Sequence, residues 1–159
     1  MLGGMPATEL AELAAERRVW RESARTVVLT NGCFDLLHPG HVALLESARR
    51  EGDVLIVALN SDASVRGLKG EGRPLVPQRE RVEILLALEA VGRVVVYDEP
   101  TPLDTILALG PDVLVKGADW AADEIVGAAE VKAAGGRVMR IPLVPGRSTS
   151  TLVQRVRRP

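Results

Sequence analysis

Aromatic side chains make up only 3% of this 159-residue chain, so a core must be built from Val, Leu, Ile and Ala. Cysteine is nearly absent. With Cys33 alone no intrachain disulfide can form, which agrees with a reducing, cytoplasmic setting. Histidine is scarce too, with only His38 and His41. A tetrahedral zinc site would need further donors, and Cys33 is the one other soft ligand nearby. The formal net charge of −1 leaves no basic surplus to drive nucleic-acid binding. Every apolar run is too short to span a bilayer, and no signal-peptide h-region opens the chain. These absences lead to the expectation of a cytoplasmic protein with neither membrane nor nucleic-acid partners.

What is present is alternation. Short β-branched runs at residues 27–30, 54–59, 94–97, 113–116 and 138–141 are predominantly apolar and are expected to be strands buried on both faces. Between them lie helical patterns. In 42–50 the apolar positions are Val42, Leu45 and Ala48; in 78–90 they are Val82, Leu85 and Leu86. Shorter helices are expected over 102–109 and 128–134, the second stopped by Gly135-Gly136. An initial helix runs from Glu9 to Arg18, with Thr8 as a cap, and a last one starts at Leu152. The expected fold class is α/β: a Rossmann-like, doubly wound parallel sheet of five strands with helices on both faces, plus the N-terminal helix. Residues 61–77, rich in Gly, Lys and Arg, are expected to form a long mobile loop.

The first strand runs into Thr30-Asn31-Gly32-Cys33-Phe34-Asp35-Leu36-Leu37-His38-Pro39-Gly40-His41. Its two histidines sit where a strand hands over to a helix N-terminus. That terminus exposes unpaired N–H groups and a partial positive charge, which suits a phosphate better than an apolar packing role. Neither a G-x-G-x-x-G fingerprint nor a Walker A loop follows the first strand.

The stretch from Asn31 to His41 resembles the H-x-G-H signature of the nucleotidylyltransferase superfamily. More narrowly, the chain resembles the heptose 1-phosphate adenylyltransferases of the ADP-heptose pathway, and does so over nearly its whole length. Leu68-Lys69-Gly70-Glu71-Gly72-Arg73-Pro74, Arg79-Glu80-Arg81-Val82-Glu83 and the run from Pro111 to Trp120 take part. So do Glu124-Ile125-Val126-Gly127-Ala128 and the run from Ile141 to Ser150. One tetrapeptide would be weak; five further motifs in order make the resemblance strong. On this reading residues 1–24 are a helical extension and 25–159 the nucleotidylyltransferase domain.

The resemblance implies transfer of AMP from ATP to D-glycero-β-D-manno-heptose 1-phosphate, with Mg²⁺ as counter-ion and pyrophosphate leaving. It implies His38, His41, Lys69 and Arg81 as the catalytic set, Arg81 facing the triphosphate. Asn31, Gly32, Cys33, Phe34, Gly40, Lys116, Gly117, Asp119, Ser148, Thr149 and Ser150 are the expected nucleotide-binding residues. Asp35, Arg73 and Trp120 are expected at the sugar phosphate. A separate heptose kinase and phosphatase would belong to the pathway, and the protein is expected to be a homodimer.

Plainer readings stand beside these. Lys69 is also what a solvated loop lysine looks like, and Arg81 could pair with Glu80 or Glu83 on an exposed face. Asp35 could cap the turn through backbone N–H groups instead of lining the sugar-phosphate pocket. The Ser-Thr-Ser run could simply cap the last helix, and Cys33 could be a small packed residue. Leu143-Val144 stands where glycerol-phosphate cytidylyltransferases carry an arginine–threonine pair, which counts against a CTP-dependent reading; the role of Arg147 stays open. The alternatives are a cytidylyl- or adenylyltransferase acting on glycerol 3-phosphate, FMN or another phosphorylated acceptor, and a nucleotide-binding module without turnover.

Overall fold

The computed structural model describes residues 6–118, 121, 124–142, 149 and 152–154. Six described helices and five strands follow the chain as α1 (Leu10–Glu22), β1 (Val27–Gly32), α2 (Pro39–Arg49), β2 (Val54–Asn60), α3 (Asp62–Lys69), α4 (Gln78–Leu86), β3 (Arg93–Tyr97), α5 (Leu103–Leu109), β4 (Val113–Gly117), α6 (Ala128–Ala133) and β5 (Arg137–Ile141). The strands form one sheet in the order β3-β2-β1-β4-β5, and every pairing is parallel. The chain first builds outward from β1 to β3, then crosses to the other side of β1 for β4 and β5. The direction of winding therefore reverses between β1 and β4. In open α/β sheets, the carboxyl ends of the strands at such a reversal form a ligand crevice.

Side chains alternate to the two faces of the sheet. Val27, Leu29, Ile56 and Leu114 join Leu13 of α1, Ile106 and Leu109 of α5 and Val131 of α6 in one buried cluster. Val28, Leu55, Val57 and Val115 join Leu45 and Ala48 of α2 and Val82 and Leu85 of α4 in the other. Each fully buried Leu contributes about 1.5–3 kcal/mol, which is how a chain so poor in aromatics builds a core.

α1 is locked into the domain by more than Leu13. Arg17, only 3% exposed, donates to the carbonyls of Leu109 and Gly110 and pairs with Asp112 Oδ1 at 2.8 Å. Asp112 Oδ2 accepts the Val27 N–H at 2.7 Å. One half-buried ion pair thus joins α1, the α5–β4 turn and the start of β1.

Several local expectations need correction. The 61–77 segment is not one loop, because its first half is α3. Ser61 caps that helix by accepting the Ser64 N–H, and Val65 is fully buried. β5 is an edge strand with exposed and half-buried positions, not a strand buried on both faces. α4 stops at Leu86, and residues 88–91 form a turn closed by Val91 N–H to Leu88 O. α1 is capped by Glu9 without a side-chain bond and runs on to Glu22; Thr8 instead donates its N–H to Val94 O. α2 begins at Pro39, earlier than the apolar pattern suggests, because Pro fits the first helical position.

Candidate active site

β1 ends at Gly32, and the chain turns through Phe34, whose φ is +43°. A Cβ on Gly32 would stand 3.0 Å from Phe34 Cε2. Glycine there is what lets the Phe34 ring fold back beneath the turn, 5.2 Å from the His41 ring. His38 is the N-cap of α2, extended at φ −142° and ψ 165°, as the residue before a proline must be. Its carbonyl accepts the N–H groups of His41 and Val42. The i, i+3 spacing then stacks the two imidazoles, with centroids 3.8 Å apart and planes 23° apart.

His41 is held neutral. Burial is the chief cause, followed by the charges of His38 and then Lys69; together they lower its pKa to about 4. Its Nδ1 is buried and has no hydrogen-bond partner among the described residues. At neutral pH the ring is therefore a hydrogen-bonding group without charge. The positive charge stands with Lys69, exposed in the last turn of α3 and near enough to act on His41.

Other expected residues gather round this turn. Thr149 Oγ1 reaches Leu36 O at 3.4 Å, which brings Thr149 to the histidine turn. Buried Gly40 is the second residue of α2. Half-buried Lys116 and buried Gly117 end β4, the strand on the other side of the winding reversal. Asn31 Nδ2 lies 3.3 Å from the Tyr97 hydroxyl, and the Cys33 thiol lies 3.7 Å from Asn60 Oδ1. Asp119, Trp120, Ser148 and Ser150 lie outside the described residues, as does Arg147.

Three expected contacts are arranged differently. Arg81 is 1% exposed, and its guanidinium points inward. It donates to Val76 O, Cys33 O, Asn60 O and Asp62 Oδ1, leaving one of its five N–H groups for anything else. The expectation that it faces a triphosphate meets a side chain already engaged, and its acidic partner is Asp62, not Glu80 or Glu83. Asp35 is likewise turned inward, its Oδ1 accepting the N–H groups of Leu75 and Val76. Arg73 Nε stands 2.8 Å from Asp35 Oδ2. Sequence reasoning missed Asn60 and Asp62, although the apolar run of β2 breaks into Asn60-Ser61-Asp62 at the same sheet edge.

Among the described residues no group of three or more His, Cys, Asp or Glu side chains comes together to hold a metal ion.

A doubly wound parallel sheet, with two stacked imidazoles at the start of the helix after β1, defines an α/β nucleotide-binding class of domain. The chain belongs to the cytidylyltransferase-like family of nucleotidyltransferases, whose family model matches residues 29–155. It is 50% identical over 147 residues to the bifunctional protein HldE of Methylobacillus flagellatus, covering 92% of this chain and 30% of that protein. It is 53% identical to the HldE of Koribacter versatilis, over 93% of this chain and 30% of that protein. For the HldE of Azorhizobium caulinodans the figures are 56%, 87% and 29%. The chain thus spans about 30% of the length of these relatives. Among solved structures, a lipopolysaccharide core biosynthesis protein from Thermoplasma volcanium superposes with a TM-score of 0.62 at 25% identity, over 76% of this chain and 97% of that one. Pantoate-beta-alanine ligase from Francisella tularensis gives 0.64 at 15% identity, over 91% and 68%, and shares the fold.

Proposed function

We propose that this domain transfers the adenylyl group of ATP to D-glycero-β-D-manno-heptose 1-phosphate. An oxygen of the sugar phosphate attacks the α-phosphorus, the bond to the bridging oxygen breaks, and pyrophosphate leaves with ADP-heptose as product. The reaction needs no covalent enzyme intermediate. Catalysis rests on in-line positioning and on stabilising charge at the α-phosphate and the leaving group. The observation that carries the reading is the stacked pair His38–His41 at the N-terminus of α2, with Lys69 acting on it from α3.

In this reading the imidazoles donate hydrogen bonds to α-phosphate oxygens, and the first-turn N–H groups of α2 add their dipoles. Lys69 supplies the full positive charge as the β- and γ-phosphates depart. Asn31, Gly32, Cys33, Phe34, Gly40, Lys116, Gly117 and Thr149 surround the nucleotide, and Arg73 is the candidate for the acceptor phosphate. Mg²⁺ enters as the counter-ion of the triphosphate, part of the substrate.

Heptose as the acceptor is supported by the motif resemblance and by the 50–56% identity to proteins named HldE. The family's description favours CTP as a second reading of the donor. A matrix of nucleotides against phosphorylated acceptors, scored by pyrophosphate release, separates them. The proposal expects release with ATP and heptose 1-phosphate together. A CTP preference overturns the donor, and a glycerol 3-phosphate or FMN preference overturns the acceptor. No helix among the described residues is long and apolar enough to cross a membrane. A homodimer, tested by light scattering, and a heptose kinase activity elsewhere that supplies the acceptor complete the proposal.

A further inference from the structure

Two buried charges lie directly behind the histidine turn, and both are engaged with the protein itself. The Asp35 side chain is wholly buried, three residues before His38. Its Oδ1 accepts Leu75 N–H at 2.8 Å and Val76 N–H at 2.9 Å. Arg81 Nε returns to the carbonyl of the same Val76 at 3.0 Å. Arg81 Nη1 bridges Cys33 O at 2.6 Å and Asn60 O at 2.8 Å, the carboxyl ends of β1 and β2. Arg81 Nη2 holds Asp62 Oδ1 at 2.8 Å. That carboxylate also accepts Gln78 N–H at 2.9 Å, and Asp62 N–H lies 3.4 Å from Gln78 Oε1. The first residues of α3 and α4 are therefore bonded to each other.

We propose that Asp35, Arg81 and Asp62 form a brace that sets where Lys69 stands opposite the histidine pair, so that Asp35 and Arg81 are positioning residues which touch neither nucleotide nor acceptor. The inference rests on the transfer reaction proposed above. Its geometry follows from helix length. α3 has eight residues, about 12 Å at 1.5 Å per residue, with the brace at its first residue and Lys69 at its last. A tilt of about 5° at the braced end moves the lysine end by about 1 Å, a displacement of the size that costs on the order of a hundredfold in turnover. Charge is well suited to this task, because a carboxylate or guanidinium makes several strong directed bonds at once.

The test is a double-mutant cycle. Asp62→Asn keeps an acceptor for Gln78 but removes the charge facing Arg81; Asp35→Asn and Arg81→Lys are its companions. Each is made in the wild-type and Lys69→Ala backgrounds. In the wild-type background the brace predicts a roughly ten- to hundredfold fall in kcat with KM for both substrates within about threefold. In the Lys69→Ala background the same substitution changes kcat by less than about twofold, because the residue acted through is gone. Losses that multiply, or a large KM rise for one substrate, overturn the proposal and make the residue a ligand contact. A Lys69→Ala variant at full turnover also overturns it.

A second readout needs no substrate. In an NMR titration Lys69→Ala raises the His41 pKa by removing a nearby charge; Asp62→Asn shifts it by letting that charge move, and the double variant titrates as Lys69→Ala does. An unmoved His41 titration in Asp62→Asn overturns the brace even if Arg81→Lys fails to fold. A wild-type protein inactive with every acceptor would instead overturn the transfer reading, while these titrations would still decide the brace.

Discussion

The neutral His41 ring makes folding stability depend on pH in a direction opposite to that of a salt-bridged histidine. The folded chain holds the His41 pKa near 4, against 6.5 for the free side chain. As pH falls below about 6.5, the unfolded chain takes up a proton that the folded chain refuses. The stabilisation from keeping the ring neutral is complete above that range and is lost progressively toward pH 4. Between pH 7 and pH 5 the difference in proton uptake amounts to about 2 kcal/mol. For a domain of this size that is about 4–8 °C in melting midpoint. Other groups titrate in the same window, so the useful quantity is a difference between proteins. Urea unfolding of wild type and His41→Gln at pH 7, 6 and 5 isolates it. Wild type is expected to lose about 2 kcal/mol more than the variant over that range. Parallel pH profiles would refute the claim that burial and neighbouring positive charge keep this imidazole neutral.

Other expectations follow from the same geometry. His41→Ala should lower kcat by on the order of 10²–10³-fold, the usual loss when one hydrogen-bond donor to a developing oxyanion is removed; a small kcat loss with a large KM rise would make it a ground-state binder only. Gly32→Ala should disturb catalysis more than folding, because the new Cβ meets the Phe34 ring that packs on His41; steady-state kinetics beside a melting curve would show it, and unchanged turnover would dissociate Phe34 from the site. Arg17→Ala should destabilise the fold by about 2–3 kcal/mol, discounted for the partial exposure of Asp112. Urea unfolding at pH 7 reads that loss, and a change below about 0.5 kcal/mol would place the strength of the α1 attachment elsewhere.

The sheet was legible because parallel strands buried on both faces leave uninterrupted β-branched runs. That rule also marks where reading stops. β5 carries Arg137 and Arg140 among its apolar residues and lies at the sheet edge, and neighbour order is a long-range property that a local run does not encode. α3 was hidden by its glycine- and charge-rich composition, although Ser61 and Asp62 supply a cap and a first-turn acid. At the site, the histidine pair was legible because Pro39 and Gly40 mark a helix start. The inward roles of Asp35 and Arg81 were not. Whether a carboxylate or guanidinium faces solvent, ligand or the protein's own carbonyls depends on segments 40 to 48 positions away along the chain. The alternative that Asp35 caps its own turn has the right kind of partner and the wrong place: the N–H groups it holds belong to Leu75 and Val76.

The central claim is adenylyl transfer directed by the histidine pair, and ³¹P NMR of a single mixture tests it most directly. Protein, ATP, Mg²⁺ and D-glycero-β-D-manno-heptose 1-phosphate should yield the paired resonances of a sugar nucleotide diphosphate together with pyrophosphate in equal amounts, with the wild type far faster than His41→Ala. Release of AMP or ADP without a sugar nucleotide, or equal rates for the two proteins, would contradict the account.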